Sequence, residues 1–289
     1  MKKRFLLFLL LIPLLLGGCI KRDTMENINI YTTNYAVQYI TNYLYGEHST
    51  VTSIYPTDVI INDYKLTKTQ LAEYSKADLF IFNGLGKEKD YILKMLDNNK
   101  NLKIIDSTSS MEYTYNEAEL WLDLSNFLML AQNIKNGLYE YINNQYLKTS
   151  IEENYEKLKI NLSNLDAKIY LMVGNSDHKN IVVGSDELKF LSKYGLTVNS
   201  IDNKNGDVPS KTLATVNDLM NSGEIKYIIL NECDEETDVI KDLKEKYNVQ
   251  ILYFNSLSNI TEDDIKNKKD YMSLINENIE VLREELFNE

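Results

Sequence analysis

Histidine, cysteine and proline are all scarce in this chain, and each shortage excludes a kind of site or structure. The two histidines, His48 and His178, are too far apart in sequence to form a pair of zinc ligands on one helix, so we expect both to be exposed loop residues. One cysteine, Cys19, follows an apolar leader, so Cys233 stands alone in the body of the chain and an intramolecular disulfide is excluded. We expect Cys233 to be a buried, unreactive thiol. Three prolines and eleven glycines also argue against long flexible linkers.

Long apolar runs are missing as well, except at the start of the chain. Residues 5–16 are apolar, but they number only about a dozen, and a lasting transmembrane helix takes about 20. Three basic residues precede the run, and Leu16-Gly17-Gly18-Cys19 ends it, which is the layout of a secretory signal. The last four residues resemble the bacterial lipobox. We therefore predict a lipoprotein signal peptide over residues 1–18, although an ordinary cleaved signal that contains a cysteine is the alternative.

The lipobox resemblance implies a place in the cell. Cys19 would be lipidated and become the first residue of the mature chain, and residues 19–26 would form a short polar tether. The acyl chains would hold the protein on the outer face of the cytoplasmic membrane, in the cell envelope.

Basic residues are outnumbered by acidic ones. The chain has 31 Lys and Arg against 43 Asp and Glu, a net charge of −12, and loss of the three basic residues in residues 1–18 would make the mature chain more acidic still. This balance argues against nucleic acid and against an anionic membrane surface as partners. It suits a soluble body, which we expect to be a monomer.

What the first half of the chain does contain is an alternation of short apolar runs and amphipathic segments. Strands are predicted over residues 28–32, 50–54, 79–82 and 103–105, and helices over residues 34–45, 68–75 and 91–98. The run over residues 79–82 is apolar at every position, as in a parallel strand that is buried on both faces. The alternation predicts an α/β lobe with a parallel-type sheet over residues 27–137.

The middle of the chain reads as helix, and the alternation then resumes. Ile151, Tyr155, Leu158, Leu162 and Leu165 mark one helical stripe, and no proline interrupts it. We predict one long connecting helix over residues 138–166. Strands follow at residues 169–173, 181–183, 197–201, 227–230 and 250–254, with helices at residues 187–193, 236–246 and 271–287. The predicted fold is α/β, with two lobes, each a sheet flanked by helices, and the second lobe covers residues 167–289.

Several separate segments, in this order behind the lipobox, resemble one family. They include Val51-Thr52-Ser53-Ile54-Tyr55-Pro56, Asn62-Asp63-Tyr64, the segment Lys76-Ala77-Asp78-Leu79 with the turn Asn83-Gly84, Glu119-Leu120-Trp121-Leu122-Asp123, the segment from Leu188 to Leu196, and Phe254-Asn255-Ser256-Leu257. The family is the zinc- and manganese-binding solute-binding lipoproteins of bacterial ABC importers. The resemblance covers nearly the whole mature chain. It implies a metal site between the lobes and an ABC permease as the partner.

The resemblance places the metal-ligand positions at Asn62, Glu119, Ser185 and Asn255, with Asp186 as the alternative to Ser185. These residues offer oxygen only, whereas zinc prefers imidazole nitrogen or thiolate. Manganese or calcium is therefore more compatible with the set than zinc is.

The sequence leaves three possible functions to compare. The first is an importer receptor for a divalent metal with an unusual site. The second is a family member that has lost the metal and binds another ligand, or acts in adhesion or protein interaction. The third, an enzyme, is disfavoured, because the chain has no glycine-rich phosphate loop, no Gly-x-Ser-x-Gly motif and no credible histidine triad.

Overall fold

The computed structural model of the protein describes residues 23–204 and 206–287. The predicted signal peptide over residues 1–18 and the predicted lipidation site Cys19 lie outside the described residues. The chain forms two α/β lobes, as the sequence predicts, and each lobe contains a four-stranded sheet.

The N-terminal sheet consists of β1 (Ile28–Thr32), β2 (Ser49–Ser53), β3 (Leu79–Phe82) and β4 (Lys103–Asp106), in the order β2-β1-β3-β4. All its pairings are parallel. The helices α1 (Tyr35–Tyr45), α2 (Lys68–Tyr74) and α3 (Lys89–Asn98) connect the strands. Every residue of β3 is buried, which explains why its sequence is apolar throughout.

Three helices form the middle of the chain: α4 (Glu119–Leu122), α5 (Leu124–Tyr141) and α6 (Gln145–Asn175). The long helix α6 has 31 residues and is about 46 Å long at about 1.5 Å per residue. It begins at Gln145 and ends at Asn175, so both of its ends lie later in the sequence than those of the predicted connecting helix over residues 138–166. The Asn144 side chain caps the first turn of α6 by accepting a hydrogen bond from the Tyr146 N–H. This cap marks the start of α6 as a helix separate from α5.

The strand predicted over residues 169–173 is wrong, because these residues belong to the last turns of α6. Ile169, Met172 and Val173 are buried at helical spacing and continue the stripe that Leu162 and Leu165 begin. A short apolar run has no period of its own, so a strand and a buried helical turn cannot be told apart from it.

The C-terminal lobe repeats the arrangement of the first. Its sheet has the order β6-β5-β7-β8, again with parallel pairings. The strands are β5 (Asn180–Val183), β6 (Thr197–Ser200), β7 (Tyr227–Asn231) and β8 (Gln250–Phe254), and the helices are α7 (Ser210–Ser222), α8 (Asp238–Tyr247), α9 (Glu262–Lys266) and α10 (Tyr271–Phe287). The predicted helix over residues 187–193 is a 3-10 helix, Asp186–Tyr194.

The described part of the predicted tether, residues 23–26, packs onto the body of the protein. Met25 is completely buried in the core. The Asp23 carboxylate accepts backbone hydrogen bonds from Asn143 at 2.9 Å and Asn144 at 2.7 Å, at the junction of α5 and α6. These contacts correct the prediction that the polar tether extends to residue 26.

One apolar core runs through both lobes. The same cluster of buried side chains includes Ile30 and Leu79 from the first sheet and Val183 and Ile229 from the second, joined through the buried face of α6. Smaller clusters lie on the outer side of each sheet. In the part of the chain that the structure describes, no helix is both long enough and apolar enough to cross a membrane.

Candidate functional site

The two lobes enclose a cleft of about 430 Å³, which we call the interlobe cleft. Residues that follow the carboxyl ends of the strands line it, which is where open parallel sheets bind their ligands. Six charged side chains take part: Lys87, Glu88, Glu117, Glu187, Lys204 and Asp234. Acidic groups outnumber basic ones, so the cleft suits a cation better than an anion.

The N-terminal wall of the cleft is built around an asparagine. Asn83 directly follows β3, is buried, and donates its Nδ2–H to Glu117 Oε1 at 2.5 Å. Glu88 lies nearby, and its Oε1 accepts the Tyr55 hydroxyl at 2.7 Å. Gly86 stands between the two carboxylates, because a Cβ there would lie 2.3 Å from Glu88 Oε2 and 2.6 Å from Glu117 Oε1. A side chain at position 86 would therefore push the two carboxylates out of their present positions.

The two carboxylates of this wall are hard to ionise. Burial, and then the neighbouring Glu88 carboxylate, raise the pKa of Glu117 to about 7. Burial also raises the pKa of Glu88, against the hydrogen bond from Tyr55, which acts to lower it. A positive charge placed between them would favour the ionised forms of both.

The C-terminal wall repeats the asparagine and glutamate pair. Asn231 is the last residue of β7, and its Nδ2–H donates to Glu187 Oε2 at 2.5 Å. Burial raises the pKa of Glu187 as well. Lys204 Nζ pairs with Asp234 Oδ1 at 2.7 Å, which neutralises one acidic group of this wall.

Direct contacts between the lobes hold the cleft together. The indole of Trp121 lines it and donates its Nε1–H to the Ser256 carbonyl, across the lobe boundary, at 2.9 Å. Lys193 Nζ, from the second lobe, pairs with Asp123 Oδ1 at 2.7 Å. Because these bonds join the lobes beside the cleft, the walls cannot separate far without breaking them.

Of the residues that the resemblance assigns to a metal, only Asn62 lines the interlobe cleft. The residue is exposed there, and its backbone carbonyl accepts a hydrogen bond from Lys87 Nζ at 3.1 Å. Asn255 lies beside the cleft and braces its own loop, since its Oδ1 accepts the Leu257 N–H at 2.9 Å. Ser185 is buried and caps the 3-10 helix by accepting the Glu187 N–H at 3.3 Å.

Glu119 is turned away from the cleft. Its carboxylate accepts backbone N–H bonds from Thr114 at 3.1 Å and Asn116 at 2.7 Å, and a third from Tyr115. The side chain is buried and holds the loop that leads into α4. The hydrogen bonds to residues 114–116 indicate that this carboxylate stabilises the loop.

We expect Glu119→Ala to lower the free energy of unfolding by about 1–3 kcal/mol, because three backbone donors lose their acceptor. Chemical denaturation of the variant would measure this loss. The exposed Glu112, in the same segment, provides the control, and Glu112→Ala should cost no more than about 0.5 kcal/mol. Unchanged stability together with weaker metal affinity would instead support Glu119 as a ligand.

Asp186 and the histidines also lie outside the lining of the cleft. Asp186 borders a neighbouring depression, where it accepts the Ser200 hydroxyl at 2.6 Å and pairs with Lys189 at 2.8 Å. His48 and His178 are half-buried rather than exposed. Within the described ranges, no three His, Cys, Asp or Glu side chains are placed to hold one metal ion.

The prediction of a buried Cys233 is wrong, because the residue stands in the loop after β7 and is exposed at the cleft. Partial desolvation, and then the Glu232 carboxylate, raise the pKa of the Cys233 thiol, so it stays protonated at neutral pH.

The residues that do form the two walls were missed: Asn83, Glu88, Glu117, Glu187 and Asn231. One signal in the sequence could have found part of the set. Asn83 and Asn231 each come at the end of a short, fully apolar strand, so they were candidates for the carboxyl edge of a sheet. No comparable signal distinguishes Glu117 from Glu119.

The comparisons with known proteins agree with this architecture. A family model described as zinc-uptake complex component A, periplasmic (ZnuA), matches residues 30–285. The zinc-binding lipoprotein AdcA of Streptococcus pneumoniae is 24% identical over 309 residues, which cover 98% of this chain and 61% of AdcA. This chain thus spans only about three fifths of the length of that relative.

Two further comparisons give the same picture. The manganese ABC transporter substrate-binding lipoprotein ScaA of Streptococcus gordonii is 27% identical over 216 residues, 67% of this chain and 69% of ScaA. The crystal structure of the Zn(II)-bound ZnuA-like domain of Streptococcus pneumoniae AdcA has a TM-score of 0.72 and 21% identity, and the match covers 90% of this chain and 99% of that domain. The structural likeness concerns the fold.

Proposed function

This chain belongs to the ZnuA family of zinc- and manganese-type solute-binding proteins, and from that membership we propose that it is the lipid-anchored solute-binding component of an ABC importer for a divalent metal. Cys19 would carry the anchor on the outer face of the cytoplasmic membrane, and an ABC permease would receive the cargo. The family consists of substrate-binding transport proteins rather than enzymes.

The observation that supports this proposal is that carboxylates from both lobes line the same cleft. Glu88 and Glu117 come from one wall of the interlobe cleft, and Glu187 comes from the other. Burial raises the pKa of each of these carboxyl groups. A bound cation would favour the ionised forms of these carboxyl groups and so offset the free-energy cost of burying them in one cleft. The donors are oxygens, so manganese or calcium suits them better than zinc.

Thermal unfolding of the mature chain, first stripped with chelator, tests the proposal. Manganese, calcium, magnesium and zinc are added one at a time. At a hundredfold excess over Kd, a bound ion stabilises the native state by about 2.7 kcal/mol, which we expect to raise Tm by about 5–10 °C. Manganese or calcium should give the larger shift. If none of the four ions raises Tm, the proposal that the cargo is a divalent metal is wrong.

A second candidate is a family member that binds another ligand or acts in adhesion or protein interaction. It is favoured by the fact that no three metal-binding side chains come together within residues 23–204 and 206–287. On this reading, the four ions leave Tm unchanged. A small organic solute or a peptide would raise Tm instead, and would change the fluorescence of Trp121, the single tryptophan of the chain.

A further inference from the structure

Three buried side-chain oxygens of residues that line the interlobe cleft accept no hydrogen bond from the described residues. One of them, Asp234 Oδ2, belongs to a carboxylate that already pairs with Lys204. The other two are Glu88 Oε2 on the N-terminal wall and Asn231 Oδ1 on the C-terminal wall. Their side chains are only 4% and 2% exposed, respectively. A buried acceptor without a donor costs free energy, so each such atom needs a reason. Here the two atoms belong to residues that line one cleft from opposite lobes.

Glu88 Oε2 also has a carboxylate neighbour. It shares the space above Gly86 with Glu117 Oε1, since both atoms lie within 2.6 Å of the point where a Cβ on Gly86 would stand. Two carboxylate oxygens in one concavity can bind the same divalent ion. The opposite wall presents Glu187 and the free amide oxygen of Asn231.

The two lysines of the cleft are already engaged. Lys87 Nζ donates to the carbonyls of Asn62 at 3.1 Å and Tyr64 at 3.0 Å, and also to that of Ile61. Lys204 Nζ is paired with Asp234. Neither ammonium group therefore occupies the acceptors on the two walls.

We infer that the cargo is a partly hydrated, oxygen-seeking divalent cation, bound directly by Glu88 Oε2 and Glu117 and, through its water ligands, by Glu187 and Asn231. The inference rests on the proposed function, because it takes the cargo to be a divalent ion. None of these four residues stands at the positions that the family resemblance assigns to the metal.

The size and composition of the cleft explain why the ion keeps water. Hard divalent ions take six or more oxygen ligands, and magnesium-like ions are often held by only one or two carboxylates plus waters. The cleft of about 430 Å³ has room for an ion and several waters, each of which takes about 30 Å³. Coordinated water is a strong hydrogen-bond donor, which is what the carboxylate of Glu187 and the amide oxygen of Asn231 can accept.

Manganese is the probe, because its binding and its hydration can be measured separately. Electron paramagnetic resonance of free Mn²⁺ gives Kd for the chelator-stripped mature chain, and water-proton relaxation counts the exchangeable waters on the bound ion. We expect at least two such waters. Bound Mn²⁺ should also quench the fluorescence of Trp121, which lines the cleft.

Four isosteric variants locate the ion. We expect Glu88→Gln and Glu117→Gln each to raise Kd at least tenfold, and Glu187→Gln to raise it about threefold, since that contact passes through water. The neighbouring carboxylate variant Asp186→Asn is the matched control and should leave Kd unchanged, because Asp186 faces a different depression. Circular dichroism confirms that each variant folds.

The outcomes separate the inference from the proposed function. If wild type binds Mn²⁺ but Asp186→Asn weakens it while Glu88→Gln and Glu117→Gln do not, the inference is wrong and the importer function stands. Bound manganese without exchangeable water would overturn it as well. If the wild-type protein binds no divalent ion, both the inference and the proposed function are wrong.

Discussion

Tyr271→Ala is expected to lower the free energy of unfolding by about 3–5 kcal/mol, the range for deleting a large buried aromatic side chain. The Tyr271 ring is completely buried and stacks on Phe127, with ring centroids 3.8 Å apart. Its hydroxyl donates to the Trp121 carbonyl at 2.6 Å. The residue starts α10 in the second lobe, whereas Phe127 and Trp121 belong to α5 and α4, so the substitution opens a cavity where the lobes meet.

Tyr271→Phe separates the two contributions. It keeps the ring and loses only the hydrogen bond to Trp121, so we expect a cost of about 1–2 kcal/mol. Tyr253, which is 53% exposed, serves as the surface control, and Tyr253→Ala should cost no more than about 0.5 kcal/mol. Urea denaturation monitored by circular dichroism gives all three values. Equal losses for the two Tyr271 variants would show that the hydroxyl, and not the ring, carries the effect.

The second large effect concerns Glu285, whose carboxyl group lies on the buried face of α10. Glu285 is completely buried, and neither carboxylate oxygen has a hydrogen-bond partner of good geometry among the described residues. Burial raises the pKa of Glu285 to about 8, against the opposing influence of the Tyr227 backbone and the Lys226 ammonium. The group is therefore protonated in the folded protein at neutral pH.

The sign of the pH dependence follows from this shift. The pKa of Glu285 is higher in the folded state than its ordinary value of 4.5, so the unfolded chain releases this proton first as the pH rises. Ionisation thus costs the folded state nothing below about pH 4.5, and the cost grows up to about pH 8 and is constant above it. At about 1.4 kcal/mol per pKa unit, the full penalty is on the order of 5 kcal/mol.

We expect Glu285→Gln to be more stable than wild type at pH 9, and to lose most of that advantage at pH 5. Denaturation curves at a series of pH values would show it. Glu280 on the same helix is the control: the hydrogen bond from Lys168 lowers the pKa of Glu280, so Glu280→Gln removes a charge that is present throughout this range. A stability difference for Glu285→Gln that does not vary with pH would contradict the expectation.

The sheets could be predicted because their signals are local. Strands β3 and β7 are short apolar runs flanked by polar residues, and each side chain is buried on one face or the other. The helical stripe of α6 likewise repeats over many turns. These patterns follow from burial alone, and so they can be read without knowing which elements become neighbours.

The cleft could not be predicted in the same way, because it depends on the direction of individual side chains. Glu117 and Glu119 are two residues apart, yet one faces the cleft and the other turns back to the backbone of residues 114–116. Asp186 and Glu187 are adjacent and face different depressions. Only the backbone path decides such choices, and it is set by contacts distant in sequence, such as the Trp121 bond to Ser256.

The apolar core that continues from one sheet into the other has a consequence for how the protein melts and how it can evolve. With Ile30 and Val183 in one packed cluster, neither half keeps its interior when the other is lost. The chain should unfold in a single cooperative transition, with equal calorimetric and van't Hoff enthalpies, despite its two sheets. A lobe cut out at the long helix would expose half of a shared interior to water and is not a module that could be transplanted alone.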